Sequence, residues 1–437
     1  MLITNPYTEE IRHVAEVADP YEAFARAKTA APDWARLSVE SRVAALSRAL
    51  DEYVSNGESF ARLIGDEMGK PISAALIEVK RAIEEWRYML DNAPIFLAPE
   101  LQGGAQIFFE PLGVVAVISP WNFPFLLPLR AIIPALLAGN SVVFKPSELT
   151  PLSGLALSDI LARYAPLEVV VGGKELGARV VELPVAAIAF TGSSAVGKSI
   201  AQEAAKKLKH VSLELGGLDP AIVFSDCDLD QAARALVKNN ASNSGQVCNA
   251  VKRVFVHESV YQRFVERACE VANSLKYGDP HDPQTDVGPL VSASQLARVR
   301  GYLDDALGKG ARAHAAKIDF SRGYFFPQTI LTDVPKSARL LSEEPFGPIL
   351  PIIPFKTPEE AVLLANDIPY GLGASVWSGD VNFAKGIARR LECGVVRVNS
   401  HGSFGPGVPW GGCKESGIGR MKSKEALREF TNLKAIG

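Results

Sequence analysis

Paired cysteines are missing from this chain. Its five, Cys227, Cys248, Cys269, Cys393 and Cys413, are an odd number over 437 residues, with no C-x-x-C. That excludes a disulfide scaffold and a zinc knuckle, and points to a reducing, cytoplasmic compartment. The six histidines show no H-x-x-x-H spacing, so no metal site is expected. Net charge is nearly absent. Lys plus Arg is 46 and Asp plus Glu is 49, leaving −3, no footprint for nucleic acid or an anionic membrane. Long apolar runs are lacking as well. The longest stretch, Leu126 to Phe144, is broken by Pro128, Arg130, Pro134, Gly139 and Asn140, which suits a buried helix, turn and strand better than lipid. The opening M-L-I-T-N-P-Y-T-E-E is polar and acidic, unlike a signal peptide. What is present is ordinary globular composition, 47% apolar and 22% charged, in a length that predicts roughly two to four domains.

Periodicity divides the chain. Tyr21 to Trp34, Ser41 to Val54 and Ala74 to Leu90 carry apolar residues at helical spacing, with a start signal at Ser38 and Glu40 and a stop at Asn56-Gly57. Strands and helices then alternate. Val114 to Ser119, Ser141 to Phe144, Val169 to Val171, Ala186 to Phe190 and Val211 to Leu215 read as strands, with helices between them. Gly216-Gly217 is a hinge, and a second alternating series runs to Asn399. Continuous apolar strands between amphipathic helices predict parallel sheets covered on both faces. The expected fold is therefore α/β: two doubly wound domains with a ligand crevice at their junction.

One motif misleads. Gly192-Ser193-Ser194-Ala195-Val196-Gly197-Lys198-Ser199 matches the phosphate-loop pattern G-x-x-x-x-G-K-[ST] in full, after a strand and before a helix. Alone it reads as nucleotide hydrolysis. Such a match arises by accident in roughly one protein of this size in fifty. Any phosphate is welcome at a Gly-bounded helix N-terminus, a dinucleotide pyrophosphate included. A hydrolase also needs a strand ending in Asp to hold magnesium, and the nearest candidate, Asp226, follows the Gly-Gly break.

The deciding pattern is an ordered set of short motifs. Pro120-Trp121-Asn122-Phe123-Pro124 and Lys145-Pro146-Ser147-Glu148 each follow a strand. Leu213-Glu214-Leu215-Gly216-Gly217 ends the first series. Ser244-Gly245-Gln246-Val247-Cys248, Glu344-Pro345-Phe346-Gly347-Pro348 and Pro409 to Gly417 follow. Asn122 and Lys145 lie 23 residues apart, Glu214 and Cys248 34. Together these resemble the aldehyde dehydrogenase superfamily over about residues 5 to 435.

The chemistry holds without the resemblance. Oxidising an aldehyde needs a nucleophile, and a thiolate is the best one near neutral pH. Cys248 sits in a Gly-containing turn flanked by Gln246 and Asn249, whereas Cys227, Cys269 and Cys393 read as inert core thiols. Asn122 offers an N–H₂ to the oxyanion beside the Cys248 backbone N–H; the plain alternative is a turn former before Pro124. Glu214, between two leucines, is the candidate base for water.

The resemblance implies NAD as cofactor, with NADP as the alternative, among Ser119, Trp121, Lys145, Ser147, Glu148, Gly192, Ser193, Val196, Leu215, Glu344 and Phe346. Lys145 and Glu148 would hold the adenosine ribose, and a carboxylate there disfavours a 2′-phosphate; solvated loop charges are the plain alternative. Phe123, Arg130, Phe404 and Trp410 would line the substrate tunnel, with Arg130 holding the far carboxylate of a short semialdehyde such as succinate semialdehyde. A solvated or capping cation is the alternative reading of Arg130. The implied domains are a cofactor-binding domain of residues 1–103 and 119–216, a catalytic domain of 217–410, and an oligomerisation arm of 104–118 and 425–437 that makes a homodimer or homotetramer.

The chain departs from the family in places. It is abbreviated between Arg163 and Glu175 and near Lys309 to Arg322, Ala131 stands where many members carry Lys, and Ser242 where some semialdehyde enzymes carry a second Arg. Rival readings are a P-loop hydrolase, a catalytically silent relative, and a coenzyme A-acylating dehydrogenase. Intact Cys248, Glu214 and Asn122 disfavour the second, and Glu214 the third.

Overall fold

A computed structural model describes residues 1–437. Two sheets organise it. The first has the order Gly417–Ile418, His210–Glu214, Ala187–Thr191, Val114–Ile118, Ser141–Lys145, Leu167–Val169. Its last five strands are mutually parallel. Val115, Ala116, Val142 and Val143 are fully buried, as a sheet covered on both faces requires. The second sheet has the order Arg312–Ala315, Thr329–Thr332, Ile349–Phe355, Val251–His257, Asp219–Val223, Gly373–Trp377, Val395–Val398. It is parallel except for its first pair. The expected α/β class with two parallel-sheet domains is what forms, and no helix is long and apolar enough to cross a membrane.

The first hundred residues are helical, with four helices rather than three: Pro20–Arg36, Val39–Ser55, Gly57–Met68 and Ile72–Phe96. Ser38 caps the second by accepting from Ser41 N–H at 3.2 Å. Asn56-Gly57 stops that helix but also opens the next, so a stop signal conceals an immediate restart. Leu46, Tyr53, Ile64 and Trp86 from these helices share one core with Phe125, Ile132 and Phe144, so the helical segment belongs with the first sheet.

The arm needs correction. Val114–Ile118 is a central strand of the first sheet, paired on both sides. The separate three-stranded antiparallel sheet is Thr431–Ile436, Ala105–Pro111 and Glu100–Gln102. Pro111-Leu112-Gly113 is thus a boundary between two sheets. The chain end also returns to the first sheet, where Gly417–Ile418 runs antiparallel to His210–Glu214.

Candidate active site

Parallel strands present their carboxyl ends on one edge. Ser119 follows Val114–Ile118, Lys145 ends Ser141–Lys145, Gly192 and Ser193 follow Ala187–Thr191, Glu214 ends His210–Glu214 and Leu215 follows it. All lie on the edge where doubly wound sheets bind ligands. Lys145 is buried, its Nζ 3.1 Å from the Pro146 carbonyl and 3.5 Å from Glu148 Oε2. The Glu148 side chain is 48% exposed, open to sugar hydroxyls. Ser147 is buried, and its Oγ accepts from Leu149 N–H at 3.2 Å.

The phosphate-loop pattern does not form a phosphate loop. The helix Ser194–Ala205 already runs through Gly197 and Lys198, so the residues between the two glycines are its first turn. Lys198 pairs with Glu415 at 2.7 Å. Asp226 follows a strand of the other sheet and accepts from Ser378 Oγ at 2.8 Å. What remains is a helix N-terminus capped by Ser193, with Val196 exposed on its first turn, suited to a pyrophosphate.

Across the crevice, Trp121 and Phe346 meet edge to face at 5.5 Å and 86°. Glu344 Oε1 is buried with the Lys252 ammonium 3.0 Å away, and a Cβ at Gly216 would run into Glu344 Oε2. A cradle that glycine keeps open, a buried carboxylate at its edge and a helix N-terminus facing it match the polar parts of a dinucleotide. The residues present therefore fit NAD or NADP.

The nucleophile turn is strained. Asn243, Ser244 and Gly245 have φ of 50°, 56° and 75°, a left-handed run that costs energy at the two non-glycine positions. It is over-determined. Asn243 Nδ2 donates to the Asn122 carbonyl at 3.1 Å, Ser244 Oγ to the Gly288 carbonyl at 2.7 Å, and Gln246 Oε1 accepts from Val291 N–H at 2.9 Å. At Gly245 any side chain would strike the Gly347 carbonyl. Asn122 Nδ2 donates to the Gln246 carbonyl at 3.0 Å, which sets its amide beside the turn that carries Cys248. Asn122 itself is fixed from below, since Lys70 Nζ donates to its carbonyl at 2.7 Å and is paired with buried Glu78.

Cys248 opens into a cavity of 240 Å³ whose wall includes Phe123, Arg130 and Trp410. Phe404 is not on that wall; its ring lies under the Arg397 guanidinium at 4.3 Å. Burial pushes the Cys248 thiol up to about 12, with Glu344, Glu214 and Asp219 adding to the shift and Lys252 opposing it. The turn therefore holds a thiol and not the ready thiolate the sequence suggests. Burial also pushes Glu214 up to about 8, against the pull of Arg130, and its Oε1 has no partner.

Arg130 has a protein partner. Its Nε and Nη2 donate to Glu85 Oε2 and Oε1 at 2.7 and 2.8 Å, a bidentate pair. Lys422 Nζ lies 3.3 Å from the same carboxylate, so two cations share one anion. The sequence reading missed Glu85, and missed Arg81, Lys70 and His401, which also reach the cavity wall. The available signal was the acidic and basic stripe Glu78, Arg81, Glu85 on one face of the helix Ile72–Phe96, which looks like an ordinary solvated face.

A model of the "Aldehyde dehydrogenase family" matches residues 1–436. The chain is 34% identical to glutarate-semialdehyde dehydrogenase of Pseudomonas putida, over 99% of this chain and 93% of that protein. It is 37% identical, with the same coverage, to succinate-semialdehyde dehydrogenase [NADP(+)] of Deinococcus radiodurans. It superposes on lactaldehyde dehydrogenase from Escherichia coli with a TM-score of 0.95 at 34% identity, covering 100% of this chain and 95% of that one. The nucleotide-hydrolase and acylating readings find no support in these likenesses. A cysteine turn at the crevice between two parallel sheets, a cradle that fits a dinucleotide and a match from end to end have one meaning: the chain belongs to the aldehyde dehydrogenase family and oxidises aldehydes with NAD or NADP.

Proposed function

We propose that the substrate is a short aldehyde carrying a carboxylate at its far end, that NAD is the preferred acceptor, and that Cys248, Asn122 and Glu214 carry the chemistry. The observation behind the substrate class is the charge on the cavity wall. On that wall Lys70 is offset by Glu78, Arg130 is offset only by Glu85 behind it, and Arg81 stands exposed without a carboxylate partner. The net charge of that wall is positive, which suits an anion. Glutarate- and succinate-semialdehyde dehydrogenases among the relatives agree with this.

In the proposed mechanism the Cys248 thiol gives up its proton to water in the cavity as Sγ adds to the aldehyde carbon. The carbonyl oxygen becomes an oxyanion and meets the free Asn122 N–H and the Cys248 backbone N–H. A nicotinamide held in the crevice would supply the two-electron acceptor for oxidising the thiohemiacetal on Cys248 to a thioester. Glu214 then takes a proton from water, whose oxygen attacks the thioester carbon, and the acid leaves as the thiol re-forms. Trp121 and Phe346 wall the nicotinamide side, Glu344 takes its ribose, and Lys145, Ser147 and Glu148 the other ribose. Ser119, Gly192, Ser193, Val196 and Leu215 line the path between. The arm sheet, with Leu101, Leu433 and Ile436 exposed and open strand edges, is proposed to join copies into a homodimer or homotetramer. Five free thiols accord with a cytoplasmic setting.

The substrate test is kinetic. Arg81→Met should lower kcat/KM for succinate or glutarate semialdehyde by roughly fivefold, the size expected of an exposed pair. Arg130→Met should lower it by about tenfold or more, since it removes a buried guanidinium and leaves Glu85 with Lys422 alone. An apolar aldehyde of equal length should lose less in both variants. If neither variant changes the ratio between the two substrates, the carboxylate class is wrong.

Cofactor choice is tested separately. The wild type should show the higher kcat/KM with NAD, and Glu148→Ala should narrow the gap by relieving repulsion of a 2′-phosphate. Equal or better use of NADP by the wild type overturns the preference.

A further inference from the structure

The proposed mechanism gives no task to Lys252, a buried cation beside the nucleophile turn. Lys252 is the second residue of the strand Val251–His257, and its side chain is 1% exposed. An ammonium so deeply buried must be fully satisfied to persist. Its Nζ donates to the Val247 carbonyl at 2.8 Å and to the Cys248 carbonyl at 2.6 Å. Glu344 Oε1 lies 3.0 Å away, the oxygen that otherwise lacks a partner. One cation thus touches both peptide groups around the nucleophile and the carboxylate at the cofactor crevice.

The Val247 carbonyl and the Cys248 N–H belong to one peptide group. A positive charge on that oxygen draws electron density through the amide and makes the N–H a stronger donor. That N–H is the one proposed to meet the oxyanion, so the inference rests on the reading of Cys248 as nucleophile. We propose that Lys252 is a positioning residue: it fixes the nucleophile turn against Glu344 and polarises the Val247–Cys248 peptide so that its N–H stabilises the oxyanion. A neutral side chain of equal length would pack in the same space and do neither.

Two reactions of Cys248 separate the roles. Acylation by an activated aryl ester passes through an oxyanion and needs no cofactor. Alkylation by iodoacetamide needs the thiolate but forms no oxyanion. The groups around the thiol are the carboxyls of Glu214, Glu344 and Asp219, the cations Lys252 and Arg130, and His401. His401 is held down to about 4 by burial and stays neutral across the assay range, while Asp219 is raised by burial to about 7.

Lys252→Met and Lys252→Gln are compared with wild type, with Cys248→Ser alongside. In Lys252→Met, alkylation at one fixed alkaline pH should slow, reporting the smaller thiolate fraction once the Lys252 charge is gone. Ester acylation, corrected for thiolate fraction, should fall roughly tenfold, less than the loss of an entire oxyanion donor. Lys252→Gln, which donates hydrogen bonds without charge, should fall between the two and melt close to wild type. Corrected acylation equal to wild type in both variants overturns the role of Lys252, as does an equal loss of acylation and alkylation. Ester acylation retained in Cys248→Ser overturns the nucleophile assignment and the inference with it.

Discussion

Cys248→Ser is expected to lower aldehyde oxidation by about a thousandfold or more, with NAD binding unchanged. A hydroxyl is a far weaker nucleophile than sulfur near neutral pH. The surroundings make rescue by another thiol implausible on geometry alone. Cys227 and Cys269 pack against the core under the second sheet. Cys393 packs on that sheet's opposite face, and Cys413 is held near Arg420. None of them lines the cavity. The substitution is nearly isosteric, and no bond that fixes the turn involves the Cys248 side chain; Asn243, Ser244 and Gln246 do that. Cofactor affinity, measured by fluorescence titration, should therefore survive. Residual turnover at a tenth of wild type would assign the nucleophile elsewhere.

The thiol raises a question that the sequence could not pose. Gly245 and Cys248 announce a reactive turn, and their positions predicted the nucleophile. Burial and the charge around it are tertiary facts. Glu214 and Asp219 sit on strands of different sheets and Glu344 comes from far along the chain, so their convergence on one sulfur exists only once both sheets are built. The same divide runs through the rest of the site. Asn122, Lys145, Gly192 and Glu214 were legible because each follows an apolar strand, and strand ends on one edge of a parallel sheet must share a crevice. Arg130 was legible as a cation on an apolar helix that must find an anion. That the anion is Glu85 was not, since it lies on a helix 45 residues earlier in the chain. Phe404 rests on resemblance: an aromatic near the chain end suits a tunnel wall or a cation–π partner equally well, and the Arg397 guanidinium lies over its ring. The phosphate-loop pattern failed because a pattern of residue types does not encode where a helix begins.

Glu214→Gln should arrest the enzyme after one turnover. Addition of Cys248 and oxidation to the thioester need no base for water, so a rapid burst of reduced cofactor, about one per site, should precede a steady rate lowered at least a hundredfold. The buried thiol makes this outcome informative. If Glu214 also removes the Cys248 proton, the variant should be slow throughout, without a burst. The pH dependence gives a second reading. Burial holds the Glu214 carboxyl near 8, so it is protonated and cannot act as a base below that pH. Deacylation in the wild type should rise with pH through about 8, and the variant should lose that limb. Stability follows with its own sign. Between the usual carboxylate pKa and 8 the folded protein holds a proton that the unfolded chain releases, so the native state loses stability across that window as pH rises. Removing the charge removes that loss. The variant should thus melt no lower than wild type at pH 8, and a burst in a protein of undiminished stability identifies Glu214 as the base that hydrolyses the thioester.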